Sequence, residues 1–183
     1  VYEVTVADTA LPVCSLPGVF SHGRLDAGTR LLLESLEDEP APSVLDLACG
    51  CGVVGAWLAA RKPGRSIVWA DDHASAVTAA RRTADLNQLD PGQVIASDVY
   101  SDVTGRFDLI ACNPPFHQGV DTEYDIAGRI ISGAANHLTE EGRLRIVANR
   151  FLPYRDRLAR SFKATRVVRE NNRYRVYESR GAL

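Results

Sequence analysis

Residues 44–55 read Val-Leu-Asp-Leu-Ala-Cys-Gly-Cys-Gly-Val-Val-Gly, an apolar run followed by a glycine-rich turn. The run predicts a buried strand over 44–48, and the apolar residues after the turn predict a helix over 53–61. Gly50, Gly52 and Gly55 have the spacing G-x-G-x-x-G, which lets a ligand approach the backbone closely. A strand, a glycine turn and a helix in this order predict an α/β fold with a ligand at the carboxyl end of the strand.

Strands and helices continue to alternate after this stretch. Such alternation predicts a mostly parallel sheet with helices on both faces. The predicted strands are Ile67–Ala70, Val94–Ala96, Leu109–Cys112 and Leu144–Val147, and the predicted helices are Ala74–Leu86 and Ile126–His137.

The two ends of the chain depart from this alternation. Val167–Val168 and Tyr174–Tyr177 flank Asn171-Asn172, a spacing that predicts a hairpin and therefore an antiparallel edge on the sheet. Before the glycine turn, Tyr2–Val6 and Leu11–Leu16 predict a small β-hairpin, an appendage within residues 1–25 that precedes a helix starting near Asp26.

Composition indicates one globular domain. The chain has 183 residues, 45% of them hydrophobic, and contains neither a run of about 20 apolar residues nor a signal peptide. We therefore expect a cytoplasmic protein that contacts no membrane, and we expect a monomer. Its four cysteines form no C-x-x-C pair, which favours reduced thiols and no metal.

Charge is distributed unevenly along the chain. Residues 143–183 contain eleven arginines and one lysine but only three acidic residues, although the whole chain has a formal charge of −2. An arginine-rich end can bind a phosphate backbone, and Arg150, Arg155 and Arg173 are the predicted RNA contacts. A solvated helix face and a charge-protected edge strand would explain the same pattern.

Acidic residues near the glycine turn favour S-adenosylmethionine over a dinucleotide, because its sulfonium and ammonium groups prefer anionic surroundings such as Asp46. Asp71, with Asp72 as a substitute, is placed to bind the ribose diol. Asp98 is placed for the adenine amino group, with Val99 packing on the ring. Each aspartate could instead be a helix N-cap or turn residue, and a nicotinamide dehydrogenase is supported only by the glycine spacing. The other predicted cofactor-binding residues are Ala48, Gly50, Gly52 and Asn113.

Asn113-Pro114-Pro115-Phe116 follows a predicted strand and indicates a site that methylates a planar nitrogen. The prolines donate no hydrogen bond and hold φ near about −65°, so neighbouring carbonyl groups are free to face a cleft. The Asn113 side-chain oxygen and the Pro114 carbonyl could accept both N–H groups of an amino group, and Phe116 could stack on its ring. A Pro-Pro turn that ends the strand is the alternative.

These motifs together resemble the class I S-adenosylmethionine-dependent methyltransferases, and within them the guanine-N2 methyltransferases of 16S and 23S ribosomal RNA. The resemblance implies a Rossmann-like, seven-stranded sheet with an antiparallel last strand and one catalytic domain over residues 1–183. It also implies that Asp26 and Thr29 contact the amino-acid end of the cofactor. Bacterial relatives usually carry a second, degenerate methyltransferase-like domain before this one. The resemblance rests on LPGVFS (16–21), LDAGT (25–29), NPPFH (113–117), LRIVAN (144–149), FLPY (151–154) and RYRVY (173–177).

The predicted reaction is an in-line displacement: the guanine N2 attacks the sulfonium methyl group, the sulfur–methyl bond breaks and S-adenosylhomocysteine leaves. The methylated nitrogen then loses its proton to water, so positioning rather than a strong base supplies the rate. Asn113, Pro114, Pro115 and Phe116 form the predicted catalytic group, and Phe20, Phe116 and His117 line the predicted base pocket. The expected partner is ribosomal RNA or the small ribosomal subunit. Methylation of a protein glutamine or of adenine N6 remains open, as does a catalytically silent RNA-binding domain.

Overall fold

The computed structural model describes residues 1–90, 93–115 and 120–183, and for residues 120–125 it describes the backbone alone. The strands are β1 Tyr2–Val6, β2 Thr9–Val13, β3 Ser43–Leu47, β4 Ser66–Asp71, β5 Val94–Ala96, β6 Phe107–Cys112, β7 Leu138–Asn149, β8 Phe162–Glu170 and β9 Tyr174–Ala182. The helices are α1 Ala27–Glu34, α2 Val53–Arg61, α3 Ala74–Leu86, α4 Val120–His137 and α5 Tyr154–Ser161.

Seven strands form one sheet in the order β5-β4-β3-β6-β7-β9-β8. The first five are parallel to one another, whereas β9 pairs antiparallel with both β7 and β8. The predicted fold class is therefore confirmed. The predicted C-terminal hairpin is also present, but β8 is the edge strand and the last strand, β9, lies inside the sheet.

Helices cover both faces of the sheet, as predicted. Alternate β3 residues face opposite layers: Val44 packs in a cluster with α1, α2, α3 and the β1–β2 hairpin, while Leu45 packs in a second cluster with α4 and α5. Within the described residues, no helix is long and apolar enough to cross a bilayer.

The β1–β2 hairpin is fixed to the helical layer by hydrogen bonds. Trp57 Nε1 of α2 donates to the Val6 carbonyl at 3.4 Å, and Asn87 Nδ2, just after α3, donates to the Pro12 carbonyl at 2.9 Å. The Cys14 N–H donates to Thr83 Oγ1 at 3.0 Å. The hairpin that the sequence predicts as an appendage is thus part of the packed layer on one side of the sheet.

Many charges of the arginine-rich end are paired within the fold. Six of its eleven arginines make ion pairs with carboxylates of the described residues. Arg143 pairs with Glu39 and Arg145 with Glu178, and these four side chains are at least nine-tenths buried. Burial alone would raise the pKa of Glu178, but the surrounding guanidinium groups, Arg145 first, hold that pKa below its ordinary value. We call these four residues the buried ion cluster.

Candidate functional site

A cleft of about 280 Å³ opens at the carboxyl edge of the parallel strands. Its floor is formed by the turns that follow β3, β4 and β6, because parallel strands end at the same edge of a sheet. One wall comes from the segment between the hairpin and α1. The lining includes Tyr2, Gly18, Val19, Phe20, Ser21, Arg24, Leu25, Asp26, Thr29, Asp46, Ala48, Cys49, Gly50, Cys51, Asp71, Asp72, His73, Asn113, Pro114 and Pro115.

The glycine turn bends sharply along the cleft floor. Gly50 has φ +55° and, with no atom within 4 Å of the position of a Cβ, borders open space. Gly52 has φ +75° and is the N-cap of α2. Ala48 also has a positive φ, 55°, which is uncommon for a residue with a side chain and indicates that the surrounding structure imposes the turn.

Asp46 lies in β3 beneath the turn. Its carboxylate accepts a hydrogen bond from the Gly55 N–H at 2.9 Å, so it holds the first turn of α2 against the sheet. Burial raises the pKa of Asp46 to about 8. No ion pair links Asp46 to a cationic side chain in the part of the chain that the structure describes.

Asp71 ends β4 and supports both neighbouring turns. One carboxylate oxygen accepts from the Gly50 N–H at 2.8 Å and the other from the His73 N–H at 3.0 Å. Burial raises the pKa of Asp71 despite these bonds. Each oxygen keeps a second lone pair, so the carboxylate can still bind two hydroxyl groups. Asp72 is exposed and pairs with His73 Nδ1 at 2.6 Å; we assign no metal to this acidic group.

Asn113 follows β6, and its amide group is fixed by hydrogen bonds from its nitrogen. Nδ2 donates to Thr29 Oγ1 at 2.9 Å and to Asp26 Oδ2 at 3.2 Å. Because a carboxylate only accepts, the bond to Asp26 determines which end of the amide is the nitrogen. The other end, Oδ1, is buried and accepts no hydrogen bond from any described residue. Asp26 Oδ2 also accepts from the Thr29 N–H at 2.9 Å as the N-cap of α1.

The structure thus brings most predicted cofactor residues and three of the four predicted catalytic residues to one cleft. Pro114 and Pro115 line it beside Asn113. Phe116 and His117 lie outside the described residues. Phe20 lines the rim with 52% of its surface exposed.

Asp98 and Val99 follow β5 at the same edge of the sheet but do not line the described cleft. Asp98 is exposed and accepts a hydrogen bond from Arg129 of α4 at 2.7 Å. Val99 has φ +54°, a strained conformation for a β-branched residue. Their predicted contacts with adenine remain predictions.

Sequence reasoning missed the contribution of the hairpin to the cleft. Tyr2 lines it, and its hydroxyl donates to the Arg24 carbonyl at 3.2 Å, which ties the hairpin to the wall. Tyr2 lies 22 residues from Arg24, and no local periodicity reports such a contact. Cys49 and Cys51 also line the cleft, and burial raises the pKa of both thiols, so neither is an activated nucleophile.

The three arginines predicted to contact RNA do not line the described cleft. Arg150 follows β7 and Arg173 precedes β9, so both lie at the carboxyl edge of the sheet. Arg155 is in the first turn of α5. All three are exposed, and none makes an ion pair within the described residues.

Residues 10–178 match the family model of the methyltransferase small domain. The chain is similar to two bacterial proteins named ribosomal RNA small subunit methyltransferase C. It is 47% identical to the protein of Haemophilus influenzae and 49% identical to that of Mannheimia succiniciproducens, each over 91% of this chain and 50% of the relative. The chain therefore spans about half the length of the curated relatives it matches.

Comparison with solved structures shows that the fold is shared with other methyltransferases. The fold superposes on the T. thermophilus 16S rRNA N2 G1207 methyltransferase, solved with AdoMet and guanosine, with a TM-score of 0.86 and 29% identity over 98% of this chain and 49% of that chain. It also superposes on the ribosomal protein L11 methylase of Lactobacillus delbrueckii, with a TM-score of 0.68 and 21% identity over 84% of this chain and 78% of that chain. The second likeness shows the shared fold alone.

Proposed function

From the premise that the chain belongs to the methyltransferase small-domain family, we propose that it transfers a methyl group from S-adenosylmethionine to the exocyclic N2 of a guanine in ribosomal RNA. Its curated relatives favour the small subunit as the source of that RNA. A ribosomal substrate would place the protein in the cytoplasm.

The cleft floor fits S-adenosylmethionine. When bound, this cofactor supplies an electrophilic methyl group on a sulfonium cation. Asp46 and Asp71 place two acidic groups in the floor with no arginine or lysine bound to either among the described residues, and a cationic ligand favours their ionised forms. Gly50 leaves open space for the amino-acid moiety, and the free lone pairs of Asp71 suit a ribose diol.

The observation that carries the proposal is Asn113 Oδ1, which is buried and accepts no hydrogen bond from the described residues. A buried acceptor without a donor costs ~1–3 kcal/mol, and an amino N–H that reaches it removes that cost. Because this oxygen is covered in the structure, an incoming base has to displace the atoms around it. Two N–H groups held by Asn113 and the Pro114 carbonyl would direct the N2 lone pair toward the methyl group.

The test measures transfer of labelled methyl groups from S-adenosylmethionine to three acceptors: small ribosomal subunits lacking the modification, naked ribosomal RNA, and a release-factor mixture. We expect label in RNA, recovered as N2-methylguanosine. Label as N6-methyladenosine, or in protein glutamine, would replace this assignment with one of those reactions. Cofactor binding and RNA binding without transfer would indicate a silent RNA-binding domain.

Substituting Asn113→Ala tests the role of the amide. We expect turnover to fall by about a hundredfold or more, the size of effect seen when one positioned polar group is removed. Affinity for S-adenosylmethionine, measured by calorimetry, should be nearly unchanged. Retention of most activity would show that Asn113 does not position the amino group.

A further inference from the structure

Phe151 is the most exposed aromatic side chain among the described residues. It lies two residues after the end of β7, and 80% of its surface is exposed to solvent. The next residue, Leu152, is buried in the core, so the backbone at this point is anchored while the ring projects outward. An exposed phenylalanine on an anchored backbone costs solvation free energy without contributing to the core.

Two arginines lie near Phe151: Arg150 precedes it in the chain, and Arg173 pairs with Arg150 through the backbone. The Arg150 N–H donates to the Arg173 carbonyl at 2.9 Å, which places the start of β9 beside the end of β7. The Arg150 guanidinium donates to the Asn171 carbonyl at 3.3 Å, and the Arg173 guanidinium lies 5.4 Å from the Tyr174 ring centroid. Neither guanidinium has a carboxylate partner in the described part of the chain, unlike the six arginines that make ion pairs.

This surface lies next to the cleft, at the same edge of the sheet. Beneath Arg173, Tyr174 packs beside Gly28, where a Cβ would lie 3.3 Å from the tyrosine ring and 3.0 Å from Asp26 Oδ2. Asp26 in turn holds the amide of Asn113. Strand pairing also places Arg150 beside the cleft, since β6 ends before Asn113 and its neighbour β7 ends before Arg150.

We propose that Phe151, Arg150 and Arg173 form a binding site for the nucleotide next to the target guanine in single-stranded RNA, and we call these three residues the Phe151 platform. The inference rests on the proposed function. A phenyl ring accepts any base by stacking, and the guanidinium groups of Arg150 and Arg173 bind adjoining phosphates. Glu170 feels the charge of Arg150 but forms its ion pair with Arg175. Two guanidinium groups without an ion-pair partner among the described residues favour RNA over an apolar protein surface as the occupant.

The test measures binding of a fluorescent single-stranded RNA containing one guanine, by anisotropy, with S-adenosylhomocysteine present so that no turnover occurs. We expect Phe151→Ala to weaken binding by about tenfold, as loss of a base stack does, and Phe151→Tyr to restore it. Arg82→Gln and Leu86→Ala, exposed on α3 away from this edge, are the matched controls and should bind like the original protein.

The salt dependence of RNA binding distinguishes base stacking on Phe151 from phosphate contacts of the arginines. Phe151→Ala should leave the slope of log Kd against log salt unchanged, whereas Arg150→Gln and Arg173→Gln should each reduce it by about 0.7. RNA with abasic positions next to the guanine should bind the original protein weakly, and Phe151→Ala should cause no further loss on that RNA.

Unchanged RNA binding by Phe151→Ala, or an equal loss on abasic RNA, would overturn the platform. The methyl-transfer assay is read separately. If methyl groups are transferred to guanine but Phe151→Ala does not weaken RNA binding, the Phe151 platform is wrong and the proposed reaction stands. If Phe151→Ala weakens RNA binding but no methyl group is transferred, the platform stands and the proposed reaction is wrong.

Discussion

At the scale of single residues, the site depends on how one amide is oriented. Asn113 is held by Asp26 and Thr29. The resemblance of the chain to the methyltransferase family predicts that these two residues contact the cofactor. In the structure both act on Asn113 as well. An Asp26 oxygen that caps α1 and accepts from Asn113 couples the position of that helix to the direction of the amide.

Asp26→Gly tests this coupling. Glycine at a helix N-cap costs roughly a few tenths of a kcal/mol relative to aspartate, so the free energy of unfolding should change little. The oxygen that accepts from Asn113 Nδ2 is removed, and Thr29 alone then holds the amide. We expect kcat to fall by about tenfold, the loss of one hydrogen bond of ~1.4 kcal/mol in the transition state. Thr29→Ser, which keeps the hydroxyl, is the control, and an unchanged kcat for Asp26→Gly would contradict the role.

Asp46 makes the stability of the protein without cofactor depend on pH. Its folded pKa of about 8 exceeds that of an unfolded aspartate, so the folded state binds the proton more tightly. This stabilisation is complete below about pH 4 and is lost as pH rises through about 8. We expect the free energy of unfolding, measured in urea between pH 5 and 9, to fall with pH.

Asp46→Asn, which retains an acceptor for the Gly55 N–H, should flatten that profile. A cationic cofactor favours the ionised carboxylate, so affinity for S-adenosylmethionine should rise with pH over the same range in the original protein and not in Asp46→Asn. Identical unfolding profiles for the two proteins would show that Asp46 is ionised in the fold at neutral pH.

At the scale of elements, the third glycine of the turn has a packing role. A Cβ on Gly55 would lie 2.2 Å from Trp69 Nε1 and 2.8 Å from Ile67 Cγ2, both on β4. The glycine therefore allows α2 to approach the sheet and does not itself contact the cleft. This explains why the G-x-G-x-x-G spacing identifies the fold better than it identifies the ligand.

We expect Gly55→Ala to destabilise the protein by ~3 kcal/mol or more, because overpacking forces α2 away from Trp69. Gly50→Ala, where a Cβ would meet only open space, should cost ~1–2 kcal/mol from its positive φ alone. Measuring the denaturant midpoints of both variants compares the two losses of stability. A greater loss for Gly50→Ala would mean that backbone strain outweighs the helix–sheet contact.

Element prediction succeeded where hydrophobic periodicity was strong. The bounds of α2, α3 and β5 agree with the sequence prediction, because each carries a continuous apolar or alanine-rich pattern. Helix α5 was missed: only Tyr154 and Leu158 face the core, and two apolar positions among arginines give no clear period. Strand β7 is longer than predicted because its first half, which includes the exposed Glu140 and Glu141, lacks the apolar run of its second half.

At the scale of the whole molecule, the arginine-rich end contributes to two different parts of the structure. Part of the arginine-rich end forms the buried ion cluster, and part remains at the carboxyl edge as Arg150, Arg155 and Arg173. The sequence could not separate these groups, because Glu39 and Arg143 are 104 residues apart. The contribution of Tyr2 to the cleft was hidden for the same reason.

Arg145→Ala should destabilise the protein by ~1–3 kcal/mol, since Glu178 loses its nearest cation but keeps Arg166 and Arg180. Replacing both residues by leucine should recover most of that loss, because an apolar pair needs no compensation. Thermal or denaturant unfolding measures both variants. If the single and double variants were equally unstable, the helix contact of Arg145 to the Ser35 carbonyl would account for the loss instead.

The interior position of β9 has a consequence for biosynthesis. A ribosome releases β7 and β8 before β9, yet β9 separates them in the sheet and carries the carboxylate that neutralises Arg145. Until β9 is synthesised, the nascent polypeptide exposes an unpaired β7 edge and a guanidinium group without its counter-charge. Hydrophobic collapse of the earlier strands can precede this step, but the complete sheet forms only after translation has passed β9.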